Sequence, residues 1–353
     1  MSISKIILDD IISINKNIEE ASKIMEGKKI LITGGGGFIG AYFLDFINYC
    51  NKNVFSYPAK VFCIENYKTG SSDRIKHLLG YENFVFLDID ISKPFEIRED
   101  IDYVIHTASI ASPTFYRKYP IETIETNVWG LKNLLDLSKT KKVKSILSFS
   151  TSEIYGNPFP DNIPTTETYN GNVSCIGPRA CYDESKRLGE TLCVNYYRQY
   201  GIPIKIVRPF NIYGPGLRID DKRVIPDFFH DAINYSKIEI LSDGSPTRSF
   251  CYISDAICGF IRVLLSEYNG EAFNIGNDEA EISMYELAEE IAKTVGNVTI
   301  SYNKSKDSEY LTDNPQRRCP DLTKARKLIK YNPHVSIDEG LVRLMEWYME
   351  VYK

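Results

Sequence analysis

Lys29-Ile30-Leu31-Ile32-Thr33 is a short apolar run that ends in Gly34-Gly35-Gly36-Gly37-Phe38-Ile39-Gly40, and a helical pattern comes next. Strand, glycine turn and helix in that order restrict this chain more than any other stretch of it. Glycines at 34, 37 and 40 permit a tight turn, close approach of a diphosphate to the backbone, and close packing of helix on strand. The free N–H groups at the start of the helix then face an anion. Glu65 closes the next strand candidate, Val61-Phe62-Cys63-Ile64-Glu65. An acid there suits the adenosine ribose hydroxyls of a dinucleotide. It also repels a 2′-phosphate, so the pattern favours NAD over NADP, with Lys68 nearby acting the other way.

The same rhythm continues. Phe84 to Asp90, Tyr103 to Ser109 and Ser145 to Ser152 are further strand candidates, with helical stretches between them, notably 121–139. Alternating strand and helix predicts a doubly wound parallel sheet of the Rossmann type, an α/β fold. Asp88 and Asp90 end the third strand, one of them facing the adenine amine. His106-Thr107-Ala108-Ser109 ends the fourth in small residues, as a backbone lying against a cofactor requires; His106 itself reads as structural. After Gly201 the chain turns to loops, short strands and scattered helices, with a smaller substrate-binding lobe expected. Ser283-x-x-Glu286 and Ser336-x-x-Glu339 have the form of helix capping boxes. The division expected is 1–27 as a helical extension, 28–200 as the dinucleotide domain joined by some later segments, and 201–353 as mainly the substrate lobe. In the extension, Ile7, Ile11, Ile14, Ile18, Ala21 and Met25 form one apolar helix face, packed on the body or on a dimer partner.

Composition narrows the partners. A net charge of −5 without a dense Lys/Arg block argues against nucleic acid. No apolar run approaches the roughly 20 residues of a membrane span. The eight cysteines include no Cys-x-x-Cys pair and there are four histidines, so no metal site is expected. Scattered cysteines and no secretory signal fit a reducing cytoplasm.

Tyr182 and Lys186 stand four apart in Arg179-Ala180-Cys181-Tyr182-Asp183-Glu184-Ser185-Lys186-Arg187, and so share one helix face. There the ammonium can lower the phenol's pKa and make it a base for a sugar hydroxyl. About thirty residues upstream lies Ser150-Thr151-Ser152-Glu153-Ile154-Tyr155-Gly156.

The glycine turn, the Tyr182-x-x-x-Lys186 pair and Arg208-Pro209-x-Asn211-x-Tyr213-Gly214-Pro215 together resemble the extended short-chain dehydrogenase/reductases, over roughly residues 28–350. Within that family the runs 150–156, 176–184 and Gly244-Ser245-Pro246-Thr247-Arg248-Ser249-Phe250 resemble the UDP-glucuronate decarboxylases, or UDP-xylose synthases. The resemblance implies NAD as cofactor and UDP-glucuronate as substrate. Tyr182 would be the base, with Lys186 as its pKa partner and nicotinamide-ribose ligand. Thr151 would bond the C4 oxygen, next to Ser152. Glu153 and Arg248 would be the pair specific to decarboxylation. Gly34, Gly37, Phe38, Ile39, Gly40, Glu65, Asn66, Asp90, Ile91, Ala108, Ser109 and Thr126 would line the cofactor. Tyr116, Asn211, Arg223, Arg248 and Arg318 would hold the substrate. The family often has an arginine directly after its Gly-Pro, where this chain has Gly216. In that family two helices matching 121–139 and 180–200 pair with their copies, so a homodimer is expected.

All sister enzymes begin by oxidising C4, and the next residues divide them. 4,6-Dehydratases carry an Asp-Glu pair after the Thr, and Ser152 replaces that Asp. 4-Epimerases have small residues where Glu153 stands. A 4-keto glucuronate is a β-keto acid and loses CO₂ once its ketone can take the electrons, before NADH reduces the ketone. Decarboxylation is therefore the expected reaction. The alternatives are decarboxylation of a 2-acetamido uronate, release of a 4-keto pentose, dehydration, epimerisation, or a non-catalytic NAD-binding scaffold.

Overall fold

The computed structural model describes residues 3–305 and 312–352. Its centre is a seven-stranded sheet. The strands β1 (Lys29–Thr33), β2 (Lys60–Glu65), β3 (Phe84–Asp88), β4 (Tyr103–His106), β5 (Ser145–Phe149) and β6 (Ile204–Pro209) are joined by an edge strand, Ala272–Ile275. The spatial order is 272–275, β6, β5, β4, β1, β2, β3, and every pairing is parallel. Both faces are covered, which explains strands that are apolar almost throughout. Side chains alternate across the sheet: Ile30 and Ile32 enter one core with Phe43, Phe149 and Phe260, while Leu31 enters the other with Val104, Leu134 and Cys193.

The chain steps outward through β1, β2 and β3, then returns and steps the other way from β4. That reversal between β1 and β4 opens a crevice at their carboxyl ends, where ligands of such sheets bind. The glycine turn leaves β1 at this point and leads into α2 (Phe38–Asn53).

The expected helix over 121–139 is present as three pieces. Pro120–Ile124 is followed by a wider π turn, Glu125–Gly130, and then by Leu131–Lys141. The wide turn carries Asn127 inward, where it accepts from the Ser109 hydroxyl at 2.7 Å and donates to Ser185 at 2.9 Å. Such turns interrupt helices mostly at functional positions. Further along, Ser283 and Glu286 form the reciprocal cap of helix Met284–Val295. At helix Ile337–Val351 the Ser336 hydroxyl accepts from the Glu339 N–H. Thr247–Ser249 pairs with both Glu281–Ser283 and Arg317–Arg318, in a register that sets Arg318 beside Arg248.

Residues Lys5–Ser22 form helix α1, which buries Ile7, Ile11, Ile14 and Ile18 against α2 and helix Ile253–Leu265. A buried carboxylate lies in the same interface. Asp10 accepts from Tyr42 of α2 at 2.9 Å, from Tyr252 at 3.1 Å, and from Arg343 of the last helix. Burial pushes this carboxyl up to about 6, against the pull of Arg343 and the two phenols. Nearby, the Ser4 hydroxyl donates to Glu350 at 2.7 Å, so the two ends of the described chain meet. Replacing Asp10 by Ala strands two phenols and a guanidinium without their acceptor. The expected loss is about 3 kcal/mol of stability, as for other broken buried pairs. Urea unfolding of Asp10→Ala at pH 7 measures it, with exposed Asp9→Ala changing stability by less than about 0.5 kcal/mol.

Candidate active site

The turns after β1 and β4 touch. Gly34 has φ +74°, and a Cβ there would lie 2.7 Å from the backbone N and Cα of Ala108, so only glycine permits this approach. The Thr107 hydroxyl ties the two turns by donating to the Thr33 carbonyl at 2.7 Å. Among the described residues no side chain caps the first turn of α2, so its N–H groups are open to a ligand. They face a cavity of about 1330 Å³, wider than the roughly 300–1,000 Å³ that one small ligand needs.

Among the residues expected at a cofactor, Gly34, Gly37, Phe38, Ile39, Gly40, Ser109, Tyr182 and Lys186 line this cavity. Glu65, Asn66, Asp90, Ile91, Ala108 and Thr126 are not among the residues that line it. Glu65 accepts from the Gly36 N–H at 3.0 Å and the Asn66 N–H at 3.1 Å, so its carboxylate already sits at the glycine turn. Lys68 is matched by Glu122 at 3.2 Å. Asp90 turns onto Ser92, and Ile91 lies against Gly130. The uncapped helix start, the glycine cradle and the carboxylate at its edge fit a dinucleotide diphosphate and ribose.

Helix Ala180–Tyr200 carries Tyr182 and Lys186, one turn apart and both buried on the cavity wall. The expected depression of the phenol by Lys186 is reversed. Burial pushes the Tyr182 phenol up, and the negative charges of Glu153 and Asp183 push with it, against a hydrogen bond from Thr151 and the charge of Arg223. The Lys186 ammonium instead donates to the Phe149 carbonyl at 2.8 Å, 5.8 Å from the Tyr182 ring centre. Burial pulls that ammonium down to about 8. Tyr116 stacks on Tyr182 with ring centres 5.1 Å apart. The Tyr116 and Ser150 hydroxyls are buried on the cavity wall with no partner among the described residues, as polar atoms awaiting a ligand would be. His106 bonds Thr33 at 2.8 Å and burial pulls it down to about 3, which leaves it neutral and structural.

Beside Tyr182 is a cluster of charge. Thr151 caps the short turn Ser152–Tyr155 by accepting from the Glu153 N–H at 3.2 Å. The Glu153 carboxylate is held bidentate by Arg318, with one contact at 2.7 Å, and also by Arg179. Burial works to raise this carboxyl, but the charges of Arg179, Arg318 and Arg248 hold it well below the usual range. Asp183, by contrast, is raised by burial and by the Glu153 charge. Arg248 donates to Asn314 at 2.8 Å and to the Thr247 carbonyl at 2.7 Å, and it acts on Glu153 through its charge. Arg318 is thus paired with Glu153 where it lines the cavity. Arg223 likewise is paired with Asp221 at 3.0 Å, and Asn211 donates to the Ser249 carbonyl at 2.9 Å, although all three line the cavity. Arg179 and Asp183 add to the expected set. Their signal in the sequence is their place, one turn before and one residue after Tyr182.

A parallel sheet with a glycine turn at its reversal point, and a buried Tyr/Lys pair in a cavity wide enough for two ligands, defines a dinucleotide-dependent enzyme. The chain belongs to the NAD dependent epimerase/dehydratase family, whose sequence profile matches residues 30–276. It is 40% identical to UDP-glucuronic acid decarboxylase 6 of Arabidopsis thaliana over 319 residues, covering 90% of this chain and 88% of that one. It is 36% identical to UDP-glucuronic acid decarboxylase 1 of Xenopus tropicalis over 91% of this chain and 72% of that one. Among solved structures, an epimerase of Methanothermobacter thermautotrophicus superposes with a TM-score of 0.82 at 27% identity, covering 96% and 97% of the two chains. The UDP-glucuronic acid 4-epimerase of Bacillus cereus, solved with NAD and UDP-4-deoxy-4-fluoro-glucuronic acid, gives 0.76 at 27% identity, covering 92% and 100%.

The cluster has a signature in pH. Glu153 is more acidic folded than unfolded, so its contribution to stability is full above its ordinary pKa of about 4.5 and lost as pH falls below it. In Glu153→Gln that acid limb disappears. At pH 7 the variant is less stable by about 3 kcal/mol, because two buried guanidinium groups lose their counter-charge. Denaturant unfolding of both proteins between pH 3 and 7 checks the slope and the offset.

Proposed function

We propose that this chain is an NAD-dependent UDP-glucuronate decarboxylase that makes UDP-xylose. The observation that carries this reading is the charge beside Tyr182: Arg179, Arg248 and Arg318 gather around the carboxylate of Glu153. The excess of guanidinium suits a sugar bearing its own carboxylate at C6, and planar donor forks match that group. The relatives named UDP-glucuronic acid decarboxylases agree with it.

NAD would be held at the α2 turn, Glu65, Ser109, Tyr182 and Lys186, and would supply the reversible hydride acceptor for C4. Tyr182 takes the C4 hydroxyl proton, and Lys186 orients the nicotinamide ribose from the same helix face. Thr151 and Tyr182 donate to the C4 oxygen as the C5–C6 bond breaks. The bonding pair moves into the ketone as an enolate, CO₂ leaves, C5 takes a solvent-derived proton in its place, and Tyr182 gives its proton back to the C4 oxygen as the ketone is reduced. Arg248 orients the sugar carboxylate before it leaves. Glu153 offsets the repulsion between the arginines and fixes Arg179 and Arg318 in place, and Ser152 takes the position where dehydratases have an acid. Tyr116, Asn211, Arg223 and Arg318 border the sugar nucleotide, residues 28–200 hold mainly the dinucleotide, and 201–353 mainly the substrate.

Incubation with NAD and UDP-glucuronate should give UDP-xylose and CO₂. UDP-galacturonate without CO₂ would make the chain an epimerase instead. Tyr182→Phe should lower the rate by ~10²–10⁴-fold, the usual contribution of a general base. Glu153→Ala and Arg248→Ala should abolish UDP-xylose formation but still bind NAD; CO₂ release near the wild-type rate would overturn their role.

A homodimer is part of the same reading. Ile121, Trp129 and Leu188 are 63%, 54% and 46% exposed on segments that pack together, an apolar patch that a second copy would cover. Light scattering should give a dimer at micromolar concentration, and Trp129→Glu should shift it to monomer. Among the described residues no helix is long and apolar enough to cross a membrane. Eight free cysteines, mostly buried, support a cytoplasmic setting.

A further inference from the structure

Arg74 lies in the loop after β2, outside every motif that the reaction uses. The residue lines the cavity. One terminal nitrogen is bound by Asp45, a fully buried carboxylate on α2 that also bonds His77 at 2.6 Å. The Tyr42 ring lies 5.6 Å away, and the Arg74 side chain is only 15% exposed. Its Nε is buried and has no partner among the described residues. An ion pair therefore fixes this guanidinium in place while leaving donors unused, an arrangement suited to a second anion.

The space it occupies is made by Gly216. That residue has φ +93°, and a Cβ there would lie 3.3 Å from Arg74 Nε and 3.5 Å from the Phe38 ring. Phe38 is the first residue of α2, whose uncapped N–H groups face the cavity. Where the resembling enzymes often carry an arginine after Gly-Pro, this chain has glycine, and the guanidinium standing over that glycine comes from a different loop. Asp73 beside it also borders the cavity, but it is exposed and held by Ser71 and Lys76.

We propose that Arg74 binds the diphosphate of the dinucleotide, opposite the start of α2. The proposal rests on the reading of this cavity as an NAD site. Asp45, His77 and the Tyr42 ring act as positioning groups for Arg74.

The test uses nucleotide-free full-length protein and binding measured by calorimetry, with NAD, ADP-ribose, adenosine and UDP as separate probes. Arg74→Gln should weaken NAD and ADP-ribose by roughly tenfold, the low end for a hydrogen bond to a charged group. Adenosine and UDP should change by less than about twofold, since one lacks the diphosphate and the other belongs to the sugar side. Arg74→Lys, which keeps charge without the fork, should fall between and guards against a variant that does not fold. Unchanged NAD affinity in both variants would overturn the proposal. So would an equal loss for adenosine, which would mean collapse of the loop, or a loss confined to UDP, which would place Arg74 on the substrate. Failure of the wild-type protein to bind NAD would refute the cofactor reading itself, a result separable from all of these.

Discussion

The contact between Gly34 and Ala108 is the constraint on which the rest depends. It brings the turn after β1 onto the turn after β4 at the point where strand order reverses. With the two backbones this close, the crevice above them stays open among the described residues. The cavity opens there, α2 faces it with bare N–H groups, and helix Ala180–Tyr200 presents Tyr182 and Lys186 from the side. A methyl group at Gly34 would force the turns apart and move every one of these walls.

Much of the architecture is legible in the chain because it is written locally. The apolar runs at 29–33, 61–65 and 103–106 announce strands covered on both faces, and the glycine turn announces a helix after the first of them. The capping box at Ser283 is local in the same way. Contacts between distant parts of the sequence are not legible. Glu153 and Arg318 stand 165 positions apart, and nothing in their spacing announces the bidentate pair. The π turn at Glu125–Gly130 is hidden because its residues have ordinary helical character; tertiary contacts through Asn127 decide it. The sign of the Tyr182 shift escapes the sequence for a related reason. Helical spacing shows that Lys186 is near but not that burial outweighs it, nor that its ammonium is committed to the Phe149 carbonyl.

The charge cluster and the phenol are one electrostatic problem. A buried carboxylate is tolerable only when paired, and Glu153 is paired more than once. Its remaining field still opposes ionisation of Tyr182, while Arg223 favours it. The resting site therefore holds its phenol protonated.

The meeting of the two ends has a consequence for how this molecule is built. Asp10 reaches Arg343 and Ser4 reaches Glu350, separations of 333 and 346 positions, while Ile3 and Tyr352 both border the cavity. Contacts of that span carry the largest loop-closure entropy in the chain and come late in any order that begins with local structure. The central sheet is complete once Ile275 has been synthesised. The rim of the cavity must wait for the final helix, so a nascent chain can own a finished sheet while its binding chamber is still open along one side.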